Sequence, residues 1–189
     1  MITLRSIAPE DRDRLLVWRN APHVAQYMYT DHLISPEEHA RWFAGLEHDK
    51  RRKYWIIESD GTPLGLVNLY DIDEHNRRCC WAFYLGSEEG RGAGVGSQVE
   101  CAILTHVFET MGFNKLCCEV LGSNEAVWAM HQKFGFVKEG VLRSHVWKAG
   151  AFHDVVMLGM TAEDWRQQRE TPRIKRLLER MQGPVFAAA

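Results

Sequence analysis

The stretch EGRGAGVG, residues 89–96, lies between the apolar run CCWAFYLG and the segment SQVECAILTHVF. Glycine loses more backbone entropy on folding than any other residue. Three in alternation, Gly92, Gly94 and Gly96, therefore mark a place that needs a bare backbone. The run before them reads as a strand. The segment after them reads as a helix from about Ala93 to Met111, with Val95, Val99, Ala102, Ile103, Val107 and Met111 on one face. A strand that turns through glycines into a helix presents unpaired N–H groups at the positive end of the helix dipole, which is an anion cradle. Two common phosphate templates fail here. A Walker loop needs Lys and then Ser or Thr after its last glycine, whereas Gly96 is followed by Ser97 and Gln98. The dinucleotide fingerprint is out of register and would open a βαβ unit, whereas this loop follows strands of hairpin character. What remains is Arg-x-x-Gly-x-Gly, matched by Arg91, Gly94 and Gly96.

The cradle has to act locally, because the whole chain carries no basic field: 23 Lys and Arg against 25 Asp and Glu leave a net charge of −2. That balance speaks against nucleic acid as a partner. The 189 residues suffice for one domain with a sizeable core. No run approaches the length of a membrane span, and the N-terminus reads as mature protein, not a signal peptide. Cys79-Cys80 and Cys117-Cys118 sit in strand-like runs, where neighbours point to opposite faces, so neither pair chelates one metal ion. They are expected, with Cys101, to be small buried hydrophobes in a reducing cytoplasm.

The remaining elements follow from local signals. ITLRSI alternates as a strand, and Pro9 opens a helix through Leu15, Leu16 and Trp18. Ser35, Pro36 and Glu38 form a capping box ahead of the helix HARWFAGL. KYWIIES and TPLGLVNLYDI form a hairpin across Asp60-Gly61, and RCCWAFYLG a third strand. KLCCEVL is a short strand; NEAVWAMHQKF is a helix capped by Asn124 and ended by Gly135. A last hairpin turns at Lys148-Ala149-Gly150, followed by two polar helical pieces separated by Pro172 and a C-terminal GPVFAAA expected to fray. The order describes a mixed α/β sheet flanked by helices.

Arg91-x-x-Gly94-x-Gly96 after a strand resembles the pyrophosphate grip of the GNAT superfamily of N-acetyltransferases. Asn124, Gly135-Phe136, Glu139-Gly140 and the Gly150…Asp154 hairpin match the same family pattern downstream. The resemblance implies a splayed central sheet, one GNAT domain over residues 1–160 and a polar helical tail over 161–189 that could pair subunits as a homodimer. It also implies acetyl-CoA as cofactor, bound by Tyr84, Leu85, Arg91, Gly92, Ala93, Gly94, Val95, Gly96, Asn124 and Lys133.

Acetyl transfer needs a neutral amine, a donor for the developing oxyanion, and relief of charge on the departing thiolate. By resemblance, a free backbone N–H of Tyr84 or Leu85 polarises the thioester, with Leu85 the catalytic choice. The family often places a tyrosine seven residues after its Asn to protonate the sulfur; here that position holds His131, which can serve as the acid or merely pack. Glu119, a carboxylate in the apolar strand KLCCEVL, is either the base that deprotonates the ammonium or a buried hydrogen-bond acceptor. Asp154 reads as structural.

The family builds its acceptor site from the first two helices and the hairpin loops. In this chain Trp18-Arg19-Asn20, Met28, His39 and Trp42 resemble one branch, the enzymes of pseudaminic acid synthesis that acetylate the 4-amino group of a UDP-linked 4-amino-4,6-dideoxy-N-acetyl-β-L-altrosamine for flagellin or surface glycans. Arg19 or His39 would pair with the pyrophosphate of a nucleotide-sugar amine, while Tyr27, Tyr29, Trp42 or Tyr70 would stack on uracil or sugar. Arg19 and Asn20 could instead simply end a helix, and Trp18 belongs in the core. A peptide N-terminus, as on a ribosomal protein, is the other enzymatic reading, favoured if Asp31, Asp71, Asp73 and Glu74 line an acidic groove. A non-catalytic acyl-CoA sensor is the third.

Overall fold

The computed structural model describes residues 1–90, 94–181, 183 and 185–187, the side chain of Glu47 excepted. Among them, seven strands form one sheet: β1 (Ile2–Ser6), β2 (Lys53–Ser59), β3 (Thr62–Asp73), β4 (Arg78–Leu85), β5 (Lys115–Leu121), β6 (Val137–Lys148) and β7 (Ala151–Thr161), in the order β1-β2-β3-β4-β5-β7-β6. Every neighbouring pair is antiparallel except β4 and β5. These two run parallel and meet only at Arg78–Lys115, Cys79–Leu116 and Cys80–Cys117. Beyond that joint β4 stays on β3 as far as Leu85, and β5 stays on β7 as far as Leu121. The twist of each half-sheet carries the two strands apart, and a V-shaped opening remains.

Strand alternation sends residues to two helical layers. Val67, Leu69, Trp81 and Leu116 join the main core beneath α4 (Val95–Thr105) and α5 (Glu125–Lys133). On the opposite face Ile56 and Leu66 pack with Leu15 and Trp18 of α1 (Arg12–Asn20), and with Trp42 and Phe43 of α3 (Pro36–Gly45). A short α2 (Pro22–Ala25) lies between α1 and α3. The start of α1 is pinned by fully buried Asp11, which accepts from Arg5 Nη1 at 2.6 Å, Arg5 Nη2 at 2.8 Å and Arg14 Nη1 at 2.8 Å. Burial pushes this carboxyl pKa up, yet the bonds from Arg5 and the Ala8 N–H hold it below the ordinary range.

Several sequence expectations need correction. The helix after the glycine loop is α-helical only to Thr105 and ends in a widened π-turn over His106–Thr110, which keeps Val107 buried. Asn124 stands at the N-cap of α5, but its φ of −90° and ψ of 59° hold its side chain off the helix amides. Asn20 caps nothing; its side-chain amide pairs both ways with the Ile34 backbone at 3.0 Å and so staples the loop after α2 to α1. Ser35 does accept from Glu38 N, but the Glu38 carboxylate turns to His32 instead of closing the capping box. Cys80 and Cys117 are half-buried, not buried; they pair across the joint, and the bond from Cys80 draws the Cys117 pKa down to about 7.

The C-terminal stretch does not fray over Val185–Ala187. The free edge of β1 offers Leu4 N to Val185 O at 2.7 Å, and Leu4 O takes Ala187 N at 3.0 Å. Phe186 then packs tilted against His106, with ring centres 4.4 Å apart, and meets Trp55 edge-on. Before it, α6 (Ala162–Gln168) and α7 (Pro172–Arg180) bury Trp165 and Ile174 in the main core. Phe186→Ala should therefore lower stability by about 2 kcal/mol, the cost of exposing a half-buried aromatic and its neighbours. A urea midpoint unchanged from the parent would show that this strand-edge contact contributes nothing.

Candidate active site

The opening between β4 and β5 presents backbone polar groups without strand partners. Gly86 N donates to Leu64 O at 2.9 Å, so in this antiparallel ladder Tyr84 and Ala82 turn their amides toward β3. Leu85 and Phe83 turn theirs toward the opening. The same parity appears at the joint, where Arg77 O accepts from Asn114 N and Lys115 N. Of the two sequence candidates for the oxyanion donor, Leu85 directs its N–H to the opening and Tyr84 directs its own to β3. The strand can end here because Gly86 lies flat against Trp18, where an added Cβ would fall 2.1 Å from the indole.

The cofactor-binding expectation on Arg91, Gly92 and Ala93 lies outside the described residues. Gly94 precedes α4 with φ +73°, a conformation that side chains rarely adopt, and the space around it is open. Gly96 rests on the Phe83 ring and beside the Met130 sulfur, so the first turn of α4 stands next to the opening. Val95 turns its side chain into the core. Asn124 and Lys133 sit at the two ends of α5, and Lys133 is exposed.

His131 of α5 is 3% exposed, with Nδ1 2.8 Å from Oε1 of Glu100 on α4. Its ring meets Trp81 edge-on at 5.3 Å. Glu100 is fully buried and its Oε2 has no partner among the described residues. Burial pushes the Glu100 pKa up, against the pull of His131. Sequence reasoning missed Glu100; the available signal was a carboxylate on the apolar side of α4, beside Ile103 and Leu104.

Glu119 lies on the opposite face from His131, the face of Cys117, Cys80 and Tyr70. It accepts a hydrogen bond from Tyr29 OH at 2.7 Å. Burial, reinforced by Glu119, raises the Tyr29 pKa, so the phenol stays protonated and donates. Tyr29 rides on the loop that Asn20 staples, and the tip of the β6–β7 hairpin holds the same loop: Lys148 Nζ donates to Thr30 O at 2.9 Å and Ala149 N to Asp31 Oδ2 at 3.0 Å.

On this face α1, α3 and the sheet enclose a cavity of about 330 Å³. Arg19, Met28, His39 and Trp42 all line it, with Glu38, Asn68 and Tyr84. Tyr70 does not; it stands by Glu119, two residues further along β3 than the lining residue Asn68. A larger, shallow depression at Leu142–His145 and Asp154 is open to solvent and touches none of these groups. There Asp154 accepts from Ser144 N and shapes an irregular stretch of β6, a structural part. Arg19 is half-buried, donates among the described residues only to Thr30 Oγ1 at 3.3 Å, and has no carboxylate within ion-pair distance among them. Desolvation therefore lowers its pKa. No group of three or more His, Cys, Asp or Glu among the described residues could hold a metal ion, and no helix is long and apolar enough to cross a membrane.

A sheet opened between its fourth and fifth strands, with a glycine turn and helix beside the opening and an enclosed cavity behind it, is the architecture of an acyl-CoA-dependent transferase. Residues 1–137 match the family described as Acetyltransferase (GNAT) domain, and the chain belongs to it. It is thus an N-acetyltransferase that uses acetyl-CoA. Among its relatives is the SPbeta prophage-derived N-acetyltransferase YokL of Bacillus subtilis, 29% identical over 87% of this chain and 92% of that protein. Acetyltransferase PseH of Campylobacter jejuni is 27% identical over 72% of this chain and 85% of its own length. The solved spermidine N-acetyltransferase of Vibrio cholerae, in complex with CoA and spermine, superposes with a TM-score of 0.81 at 20% identity, covering 87% of this chain and 98% of that one.

His39 gives the cavity a measurable titration. It is buried with Nε2 unpartnered among the described residues, and desolvation lowers its pKa from the ordinary 6.5. The unfolded chain takes up that proton near 6.5 and the folded chain only at lower pH, so stability is fully present above 6.5 and is lost as the pH falls below it. His39→Phe should flatten the loss of stability below pH 6.5; equal slopes in parent and variant would exclude the desolvated imidazole as its source.

Proposed function

We propose that the chain acetylates the amine of a small acceptor that also carries a negative group, and that this acceptor is a UDP-linked 4-amino-4,6-dideoxy sugar of the pseudaminic acid type. The single observation that carries this is Arg19. A guanidinium held in a cavity wall without a carboxylate is costly unless the ligand supplies the anion. Planar guanidinium groups bind phosphates in paired, charge-assisted hydrogen bonds. Trp42 and Tyr54 offer flat surfaces for a base or sugar ring in the same cavity. The likeness to PseH agrees with this reading.

A basic peptide or a polyamine is disfavoured. Asp31 is held by the hairpin tip, Asp71 by Arg51, and Asp73 by Asn76, and none of them lines the cavity. Glu38 does line it, but His32 already holds its carboxylate at 2.9 Å. A polycation would meet Arg19 first.

In this reading the Leu85 N–H stabilises the oxyanion, the largest contribution expected of any one donor. Glu119 accepts the proton of the incoming ammonium, held in place by Tyr29. His131 returns a proton to the departing sulfur from the other face of the sheet. Arg91, Gly92, Ala93, Gly94, Val95, Gly96, Asn124 and Lys133 would hold the pyrophosphate and pantetheine of acetyl-CoA, which supplies the activated acetyl group.

Arg19→Met keeps the length and apolar stem but removes the charge. It should raise the KM for the nucleotide-sugar acceptor about 10- to 100-fold, the loss of charge-assisted bonds worth roughly 1.5–3 kcal/mol, and leave the KM for acetyl-CoA unchanged. Steady-state kinetics with each substrate varied separately checks this. An unchanged acceptor KM would remove the anionic group from the proposal.

A further inference from the structure

We propose that Glu100 is a positioning residue for acetyl transfer: its buried carboxylate holds the His131 imidazole by Nδ1, so that Nε2 is turned to the departing sulfur. The inference rests on the reading of His131 as the leaving-group acid.

The geometry carries it. Glu100 is fully buried, its Oε1 lies 2.8 Å from His131 Nδ1, and its Oε2 has no partner among the described residues. A carboxylate in this place is a poor way to stabilise a core, because an apolar side chain of the same volume would pack there without desolvation. The ring it holds is fixed in a second way, edge-on to Trp81 at 5.3 Å and tilted on Phe136 at 5.4 Å. Trp81 is the first residue of β4 past Cys80–Cys117, the last pair of the β4–β5 joint, so the imidazole stands at the vertex of the opening. The preceding residue, Met130, touches the first turn of α4. With Nδ1 given to Glu100, the group left to act is Nε2, the division of labour seen wherever a carboxylate orients a catalytic imidazole.

The step balances without any added reactant. The C–S bond of the tetrahedral adduct breaks, its electron pair goes to sulfur, and the Nε2 proton joins that sulfur to give the thiol. The imidazole recovers a proton from solvent after the products leave, while the amine gives up two protons through Glu119 to solvent, one as the incoming ammonium and one from the nitrogen of the adduct. The other titratable or charged groups that face the pair are Cys118 of β5 and Arg173 of α7, with Cys101 next to Glu100 on α4. Burial raises the pKa of both thiols, so neither supplies a competing charge.

The test is the pH dependence of kcat, with acetyl-CoA and the acceptor saturating, for the parent, Glu100→Gln, Glu100→Asp and His131→Gln. Glutamine keeps the hydrogen bond to Nδ1 and loses the charge. Glu100→Gln is expected to leave the KM for acetyl-CoA unchanged and to move the alkaline limb of kcat down by about one pH unit, the effect of removing a neighbouring opposite charge. Glu100→Asp, which keeps the charge at a longer reach, should move it by less, and it decides the matter should the glutamine variant fold poorly. His131→Gln should abolish the limb. A limb unmoved in a folded Glu100 variant, but lost in His131→Gln, overturns the role of Glu100 and leaves His131 as the acid. A limb that survives in His131→Gln overturns the reading of His131, and this inference with it.

Discussion

The short parallel joint between β4 and β5 is the constraint on which the rest depends. Three residue pairs hold the two half-sheets together, and each strand then follows its antiparallel partner away from the other. A longer joint would pair the N–H groups of Phe83 and Leu85 with β5 and leave nothing to meet a thioester. A shorter one would let the halves separate at Cys80 and Cys117. Everything with chemical potential is arranged around this vertex: α4 and α5 with Glu100 and His131 on one face, and Glu119 with the acceptor cavity on the other.

The two faces carry different electrostatic settings. On the α4–α5 face the buried Glu100 carboxylate has one partner among the described residues, His131 Nδ1. On the cavity face a cation stands in the wall at Arg19 with no carboxylate partner among the described residues, and the nearby carboxylates are already engaged. An unpaired buried charge costs free energy in the absence of a ligand and recovers it when the counter-charge arrives. The loop carrying Met28, Tyr29 and Thr30 lies between these settings. It is tied to α1 through Asn20 and to the β6–β7 hairpin through Lys148 and Ala149, so the cavity and Glu119, the proposed acceptor site and base, are positioned by elements far apart in the chain.

Much of this was legible in the sequence because the signals were local. Turn residues placed both hairpins, and the glycine pattern located the helix beside the opening. Spacing after Asn124 put a histidine on the inner face of α5, and Arg19, Met28, His39 and Trp42 did converge on one cavity. What was not legible rests on pairing over distance. Tyr29 and Glu119 are 90 residues apart, and Glu100 and His131 are 31 apart. Tyr70 shares a strand face with Asn68 but lies two residues further along β3, which carries it past the cavity to the side of Glu119. The docking of Phe186 escaped notice because its reason is the unpaired edge of β1, at the far end of the chain.

The proposed selection of an amine bearing a negative group rests on the cavity around Arg19. Thiol release from acetyl-CoA tests it most directly when the same enzyme is offered UDP-4-amino-4,6-dideoxy sugars, their dTDP counterparts, spermidine and a basic peptide N-terminus. The account predicts a kcat/KM for the nucleotide-linked amines well above that for spermidine or the peptide. Preferred acetylation of spermidine or of the basic peptide would contradict it.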